Sequence, residues 1–147
     1  MSEPTTLPRV YGDGDASFQA AGGETGLWLL VRDFYRLMNE TPRFARLRGM
    51  HPADIEVSID KLARFLCGWL GGPPRYSEKY GPIRLPMVHA HLPIVVQDRD
   101  DWLECMRQAL VLQPFADDFR EYLMIQFARP ADRIVTVCAH AATRRSG

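Results

Sequence analysis

A chain of 147 residues is the size of one domain, and 46% apolar against 24% charged residues is the balance of an ordinary soluble globular protein. The formal net charge of +0 excludes the basic excess of a nucleic-acid binder. No apolar run approaches the roughly 20 residues that cross a bilayer, and the opening MSEPTTLPRV lacks the apolar core of a signal peptide. Cys67, Cys105 and Cys138 are far apart and odd in number, which argues against a disulfide scaffold and for a reducing compartment. The expected location is the cytoplasm.

In chain order, residues 1–14 are rich in Pro, Thr, Gly and Asp and predict a loosely held arm, with Tyr11 pinned to the body. A short helix over 15–21 should end at Gly22-Gly23. From 24 to 39 the period is helical: Leu27, Leu30, Val31, Phe34 and Met38 recur at steps of three and four, with Tyr35 beside them. Thr41-Pro42 reads as a cap followed by proline at the first helical position, opening a short turn over 42–48. Pro52 pushes His51 into extended backbone.

Residues 54–70 form the second long helix, striped by Ile55, Ile59, Leu62, Leu66 and Trp69 and stopped by Gly71-Gly72-Pro73-Pro74. An irregular loop is expected over 73–85, long enough to suggest function. Pro86 and Pro93 bracket a short helix with His89 in its middle. Asp98 should cap the third long helix, with Asp100 and Asp101 in its first turn, where the macrodipole favours them. Trp102, Cys105, Met106, Ala109 and Leu110 form its inner face. A fourth helix starts near Pro114, carries Phe115, Phe119, Tyr122, Leu123 and Phe127, and is kinked or broken at Pro130; the tail AHAATRRSG reads as frayed. Ile94-Val95-Val96 is too short to seed a sheet. The bare sequence therefore predicts an all-α domain over 15–137, with an arm at 1–14 and a tail at 138–147.

His89 and His91 stand two apart, a spacing that on a helix turns them about 200° from each other. They cannot both ligate one metal from one side, and nothing stands at matching spacing to complete a zinc site. On their own they read as one core and one surface histidine. Tyr35, Trp69 and Trp102 put polar-tipped aromatics on or beside three apolar helix faces. Buried, each needs a hydrogen-bond partner. A backbone carbonyl is the common one; a small molecule bound between the helices is the other. Cys105 reads as a small core residue, and Gly71-Gly72, following a helix, as punctuation. No Ser-His-Asp order and no phosphate-cradling loop is present.

The order of several motifs is more specific. AGGETGLWLLVRDFY, FLCGWLGGPPRYSEKYG, and RLPMVHAHLPI followed by DRDDWLECM together resemble the group II branch of the truncated haemoglobins, over roughly Tyr11 to Val135. The resemblance implies a globin-like two-over-two helical sandwich around haem b, the first and second long helices crossing the third and fourth. It implies that the proline-bracketed segment carries the proximal ligand to the iron. In the family's register that histidine stands thirteen positions before the tryptophan of the third long helix, which selects His89 over His91. By position, Tyr35 and Trp102 correspond to the distal tyrosine and tryptophan, His51 falls at the haem edge, and Ser58 replaces the classical distal histidine. Leu62 and Phe65 wall the pocket. Lys61, Tyr76 and Arg84 are the candidates for the haem propionates. Val88 departs from the basic residue that often precedes the proximal histidine, which shifts that task to Arg84 or Lys61.

The resemblance further implies a diatomic gas (oxygen, nitric oxide or carbon monoxide) as ligand to a five-coordinate iron, held by distal hydrogen bonds and released slowly. The chain would be a monomer or homodimer and would draw electrons from a reductase, with no nucleic-acid or membrane partner. Two alternatives carry different tests. A redox enzyme on the same haem, turning over peroxide or nitric oxide, would use His51 as a proton relay. A helical interaction domain without haem would be colourless and indifferent to loss of His89.

Overall fold

The computed structural model describes residues 10–82, 92 and 94–146, and every regular element among them is helical. In order these are α1 (Ala16–Ala20), α2 (Gly23–Glu40), a 3-10 turn (Pro42–Phe44) running into α3 (Ala45–Gly49), α4 (Ile55–Trp69), α5 (Arg75–Tyr80), α6 (Val96–Val111) and α7 (Asp117–Ser146). Helix α2 packs against both α4 and α6, and α6 packs against α7. This is the expected two-over-two arrangement, with α2 and α4 as one pair and α6 and α7 as the other.

The stripe read from the sequence fixes α2. Leu27, Leu30, Val31 and Phe34 are fully buried, Met38 and Tyr35 nearly so, and burial stabilises by roughly 1.5–3 kcal/mol for each large apolar side chain. That sum, rather than intrinsic propensity, holds the helix where it is. The turn from α1 into α2 uses Gly22 at φ +83, a left-handed conformation that glycine adopts without penalty. Cys67, Cys105 and Cys138 are buried and form no disulfide. Cys105 donates to the Phe34 carbonyl at 3.3 Å, tying α6 to α2. Burial pushes its pKa up to about 12, so the thiol stays protonated and able to donate.

Several local expectations change. The stretch after α4 is not an irregular loop throughout: it carries α5, whose first turn is held by an Arg75–Glu78 ion pair at 3.1 Å and by Ser77 donating to the Pro74 carbonyl. Thr41 makes no side-chain cap to the turn that follows. Helix α6 begins two residues before Asp98. That carboxylate sits in the first turn and accepts the backbone N–H of Val95 at 3.0 Å, so it closes the helix start from inside.

The fourth long helix starts at Asp117 rather than near Pro114, and it runs unbroken through Pro130 and the expected tail to Ser146. Proline removes one i→i−4 hydrogen bond, to the carbonyl of Gln126, but the ring faces a cavity described below instead of a neighbouring helix. Gly71-Gly72 is more than a stop. Gly71 has φ +92, and a Cβ there would lie 1.9 Å from the Gly14 carbonyl oxygen; one on Gly72 would lie 2.5 Å from the Phe18 ring. The glycines let the N-terminal segment lie directly on the end of α4, where the Phe18 amide bonds the Leu70 carbonyl at 3.1 Å. Tyr11 completes the attachment, donating to Asp118 at 2.9 Å and packing at a tilt against the Phe119 and Tyr122 rings.

Candidate functional site

Between the two helix pairs lies a cavity of about 720 Å³, within the range of small-molecule and cofactor sites. Tyr35 reaches it from α2 and Trp102 from α6. Phe34 stands between them, 5.0 Å from the Tyr35 ring and 5.1 Å from Trp102, edge-on to both. Ser58, Lys61, Leu62 and Phe65 line one side of the cavity from α4; their spacing of three and four puts them on one helix face. His51 lines it from the segment after α3, and Tyr76 from α5. Arg84, His89 and His91 lie outside the described residues.

The polar groups decide what the cavity suits. Tyr35 is 6% exposed, and among the described residues its hydroxyl has no hydrogen-bond partner. Burial, and to a lesser degree the neighbouring Cys105 thiol, raises its pKa well above the ordinary phenol value, so it stays a neutral donor. The Trp102 indole N–H likewise has no partner among the described residues. A buried donor is normally satisfied; the buried Tyr35 hydroxyl and the partly buried Trp102 indole both line the cavity with no partner among the described residues, so the cavity has room for a ligand's acceptor. His51 is oriented differently. Its Nδ1 lies 2.8 Å from the Leu47 carbonyl, which can only accept, so Nδ1 carries the proton and Nε2 is the basic nitrogen of the neutral ring. The ring stands edge-on to Tyr35 at 5.4 Å.

These groups are held in register by ion pairs that join the corner at residues 42–51 to α6. Asp98, 1% exposed, accepts from Arg46 Nε at 2.8 Å and from a second Arg46 nitrogen at 3.2 Å. Asp101 accepts from Arg43 at 2.9 Å and from Gln97 at 2.9 Å. The corner that carries His51 is thereby fixed against the helix that carries Trp102. The helix macrodipole accounts for neither carboxylate in full; their partners are arginines more than fifty residues away in sequence.

A porphyrin is a flat apolar plate with anionic propionates on one edge and an axial position on each face. The cavity offers apolar walls in Leu47, Val57, Leu62, Phe65, Phe127 and Ile134, unpartnered donors on one side, and cations on its lining. Lys61 has no carboxylate partner among the described residues; its ammonium lies 5.4 Å from the Tyr80 ring centroid. The residues present fit the group. Among the described residues no set of three His, Cys, Asp or Glu side chains is placed to hold a metal ion by itself.

Several lining residues were not expected. Arg99 stands three positions before Trp102, on the same face of α6, and pairs with Asp100 at 3.0 Å and Asp132 at 2.9 Å. Phe127, Pro130, Ala131 and Ile134 follow one another on α7 at helical spacing; that period is visible in the sequence once Pro130 is allowed inside the helix.

A family model described as bacterial-like globin matches residues 16–135. The group 2 truncated hemoglobin YjbI of Bacillus subtilis (strain 168) is 34% identical over 109 residues, covering 74% of this chain and 80% of the relative. The solved group II 2-on-2 hemoglobin from the plant pathogen Agrobacterium tumefaciens is 35% identical with a TM-score of 0.77, over 88% of this chain and 97% of that one. The cold-adapted truncated hemoglobin from the Antarctic marine bacterium Pseudoalteromonas haloplanktis TAC125 is 30% identical with a TM-score of 0.78, over 81% and 96% of the two chains.

Proposed function

The chain belongs to the group II truncated haemoglobins of the bacterial-like globin family, and from that premise we propose that its cavity takes haem b on His89 and holds dioxygen, or another diatomic gas, tightly. When bound, haem would supply an iron able to take a gas as ligand. His89 would hold that iron through a neutral imidazole nitrogen. Lys61, Tyr76 and Arg84 neutralise and hydrogen-bond the propionates. Leu62 and Phe65 keep water from the distal side.

The observation that carries this reading is a pair of cavity-lining donors without a partner among the described residues, the Tyr35 hydroxyl and the Trp102 indole N–H. A diatomic gas whose outer atom gains negative charge supplies the acceptor both lack. Each such bond is worth about 0.5–1.5 kcal/mol net. Two or three, with Ser58 or His51 as the third, slow ligand release on the order of 10- to 1000-fold, at roughly 1.4 kcal/mol per factor of ten. Slow release suits scavenging or redox chemistry better than bulk transport.

One observation favours a redox role beside gas binding. The Leu47 carbonyl fixes the His51 tautomer so that Nε2 is the ring's base, and the ring stands against Tyr35. A base so placed can take a proton from a hydroperoxide and return it. Peroxide turnover in wild type against His51→Ala tests this; equal rates remove His51 from the chemistry.

Haem content of three proteins tests the main reading. Wild type and His91→Ala should each take up one haem per chain with matching absorbance spectra, and His89→Ala should not. A wild type that stays colourless with haemin, or a His89→Ala protein with full haem, overturns it.

A further inference from the structure

An unbroken series of aromatic rings leads along the cavity wall and out of it. Trp102 meets Phe127 with centroids 5.5 Å apart, and Phe127 stacks on Trp69 at 5.0 Å. Trp69 stacks on Phe65 at 6.1 Å, Phe65 meets Tyr76 edge-on at 6.5 Å, and Tyr76 meets Tyr80 at 5.0 Å. The first five line the cavity. Tyr80 does not; it is 36% exposed at the end of α5. Phe65 and Trp69 on α4, and Tyr76 and Tyr80 on α5, each stand four apart, the helical spacing that brings rings together. Four of the six rings are Trp or Tyr, the side chains that give up an electron most readily.

The surroundings of Tyr80 are those of a redox site. Its hydroxyl donates to the Asp60 carboxylate. Asp60 also accepts from Lys79 at 2.8 Å and from Arg64 at 2.9 Å. A phenol that loses an electron becomes a strong acid and must release its proton at once; the acceptor is already hydrogen-bonded to it. The ammonium groups of Lys79 and Lys61 lie 5.3 Å and 5.4 Å from the Tyr80 ring centroid. Near an oxidised ring they make it more oxidising, and they attract anions.

We propose that Tyr80 is a surface oxidation site at which a small anionic one-electron donor, of the enediolate or phenolate class, delivers electrons to the cavity through Tyr76 when a hydroperoxide is the oxidant inside. This rests on the haem reading of the cavity. The hydroperoxide takes two electrons and two protons, its O–O bond breaks, and an alcohol (or water) and a water form. Each electron leaves Tyr80 through Tyr76 while the phenolic proton passes to Asp60. The neutral tyrosyl then takes an electron from the donor and its proton back from Asp60. Two donor molecules leave as radicals, each having lost one electron, and an enediolate releases its proton to solvent.

Spin trapping with mass spectrometry tests this on haemin-loaded wild type, Tyr80→Phe and Asp60→Asn, with loading first verified by absorbance. After hydrogen peroxide and a nitroso trap, wild type should carry the trap on Tyr80, and ascorbate should suppress the label. Tyr80→Phe should keep the wild-type spectrum but lose both the surface label and peroxide-driven ascorbate oxidation. Asp60→Asn, which keeps a hydrogen-bonding partner but is a poorer base, should lose most of the label. Haem-loaded wild type labelled elsewhere, or Tyr80→Phe oxidising ascorbate at the wild-type rate, overturns the surface site while leaving the haem reading intact. A chain that takes up no haemin overturns both.

Discussion

Tyr35→Phe separates what the Tyr35 hydroxyl does for the fold from what it does for a ligand, and the two effects carry opposite signs. The ring is 6% exposed and its hydroxyl has no partner among the described residues. Phenylalanine keeps the edge-on contacts to Phe34 at 5.0 Å and His51 at 5.4 Å. An unpaired buried hydroxyl costs about 1–3 kcal/mol on the scale of protein mutations. The haem-free variant should therefore gain up to that amount, visible as a rise of about 2–4 °C in Tm per kcal/mol for a chain of this size. In the oxygenated protein the same change removes one hydrogen bond of about 0.5–1.5 kcal/mol net, so oxygen should leave about two to twelve times faster. Urea unfolding of the haem-free proteins and stopped-flow oxygen dissociation of the loaded ones measure the two arms. Loss of stability in the haem-free variant would show that the hydroxyl has a protein partner. An unchanged off-rate would show that it does not face the gas.

Asp98→Ala should cost about 1.5–3 kcal/mol, the scale of hydrogen bonds to a charged group, because a carboxylate 1% exposed then no longer holds Arg46 and the Val95 amide; denaturant midpoints measure it, and Asp98→Asn should recover part. Burial alone would raise the Asp60 pKa, but hydrogen bonds from Lys79, Tyr80 and Arg64 outweigh it and hold the group at about 2 instead of 3.8. A folded-state pKa below the unfolded one gives stability that is present above about pH 3.8 and lost as pH falls toward 2; thermal scans across that window should show a shallower acid decline in Asp60→Asn than in wild type. Gly71→Ala places a Cβ 1.9 Å from the Gly14 carbonyl at φ +92, a strain of about 1–3 kcal/mol before the clash is counted, so Tm should fall and limited proteolysis should cut near residue 14 sooner.

The helices that line the site were legible because a helical period is local information. Leu27 through Met38, and Ile59 through Leu66, show their buried face in a window of a dozen residues. Tyr35, Ser58, Lys61, Leu62, Phe65 and Trp102 take their expected place from the resemblance to the truncated haemoglobins rather than from that period, and all six line the cavity. Helix α5 has no buried residue and hence no stripe, so nothing in its sequence separated it from a loop. Arg46 and Asp98 stand 52 residues apart; no local pattern says that two charges so distant will meet. Nothing local marks Arg99 as a lining residue, because a charged side chain on a helix is by default solvated. The expectation that Pro130 kinks or breaks the helix follows a rule that holds where the lost hydrogen bond and the ring both meet protein; here the helix is unbroken and the ring meets the cavity. The proximal assignment of His89 came from a register shared with a family, not from physics within the chain, and His89 lies outside the described residues.

A cavity of about 720 Å³ at the centre of a four-helix domain is a deficit in two currencies. Its apolar lining forgoes contacts that a packed core would have, and two donors, the Tyr35 hydroxyl and the Trp102 indole, have no hydrogen-bond partner among the described residues. On the proposed reading a porphyrin plate would settle the first, filling volume and adding dispersion contacts to lining residues such as Leu62, Phe65 and Phe127. Binding to the folded state alone then stabilises that state in proportion to occupancy, so uptake of the group and completion of the fold are one process. The same plate leaves the second deficit standing, because the face of a porphyrin presents no acceptor to the Tyr35 hydroxyl or the Trp102 indole. On the proposed reading a small molecule bound beside the haem would receive both, and the hydrogen bonds the haem leaves unmade would be what the gas gains on binding.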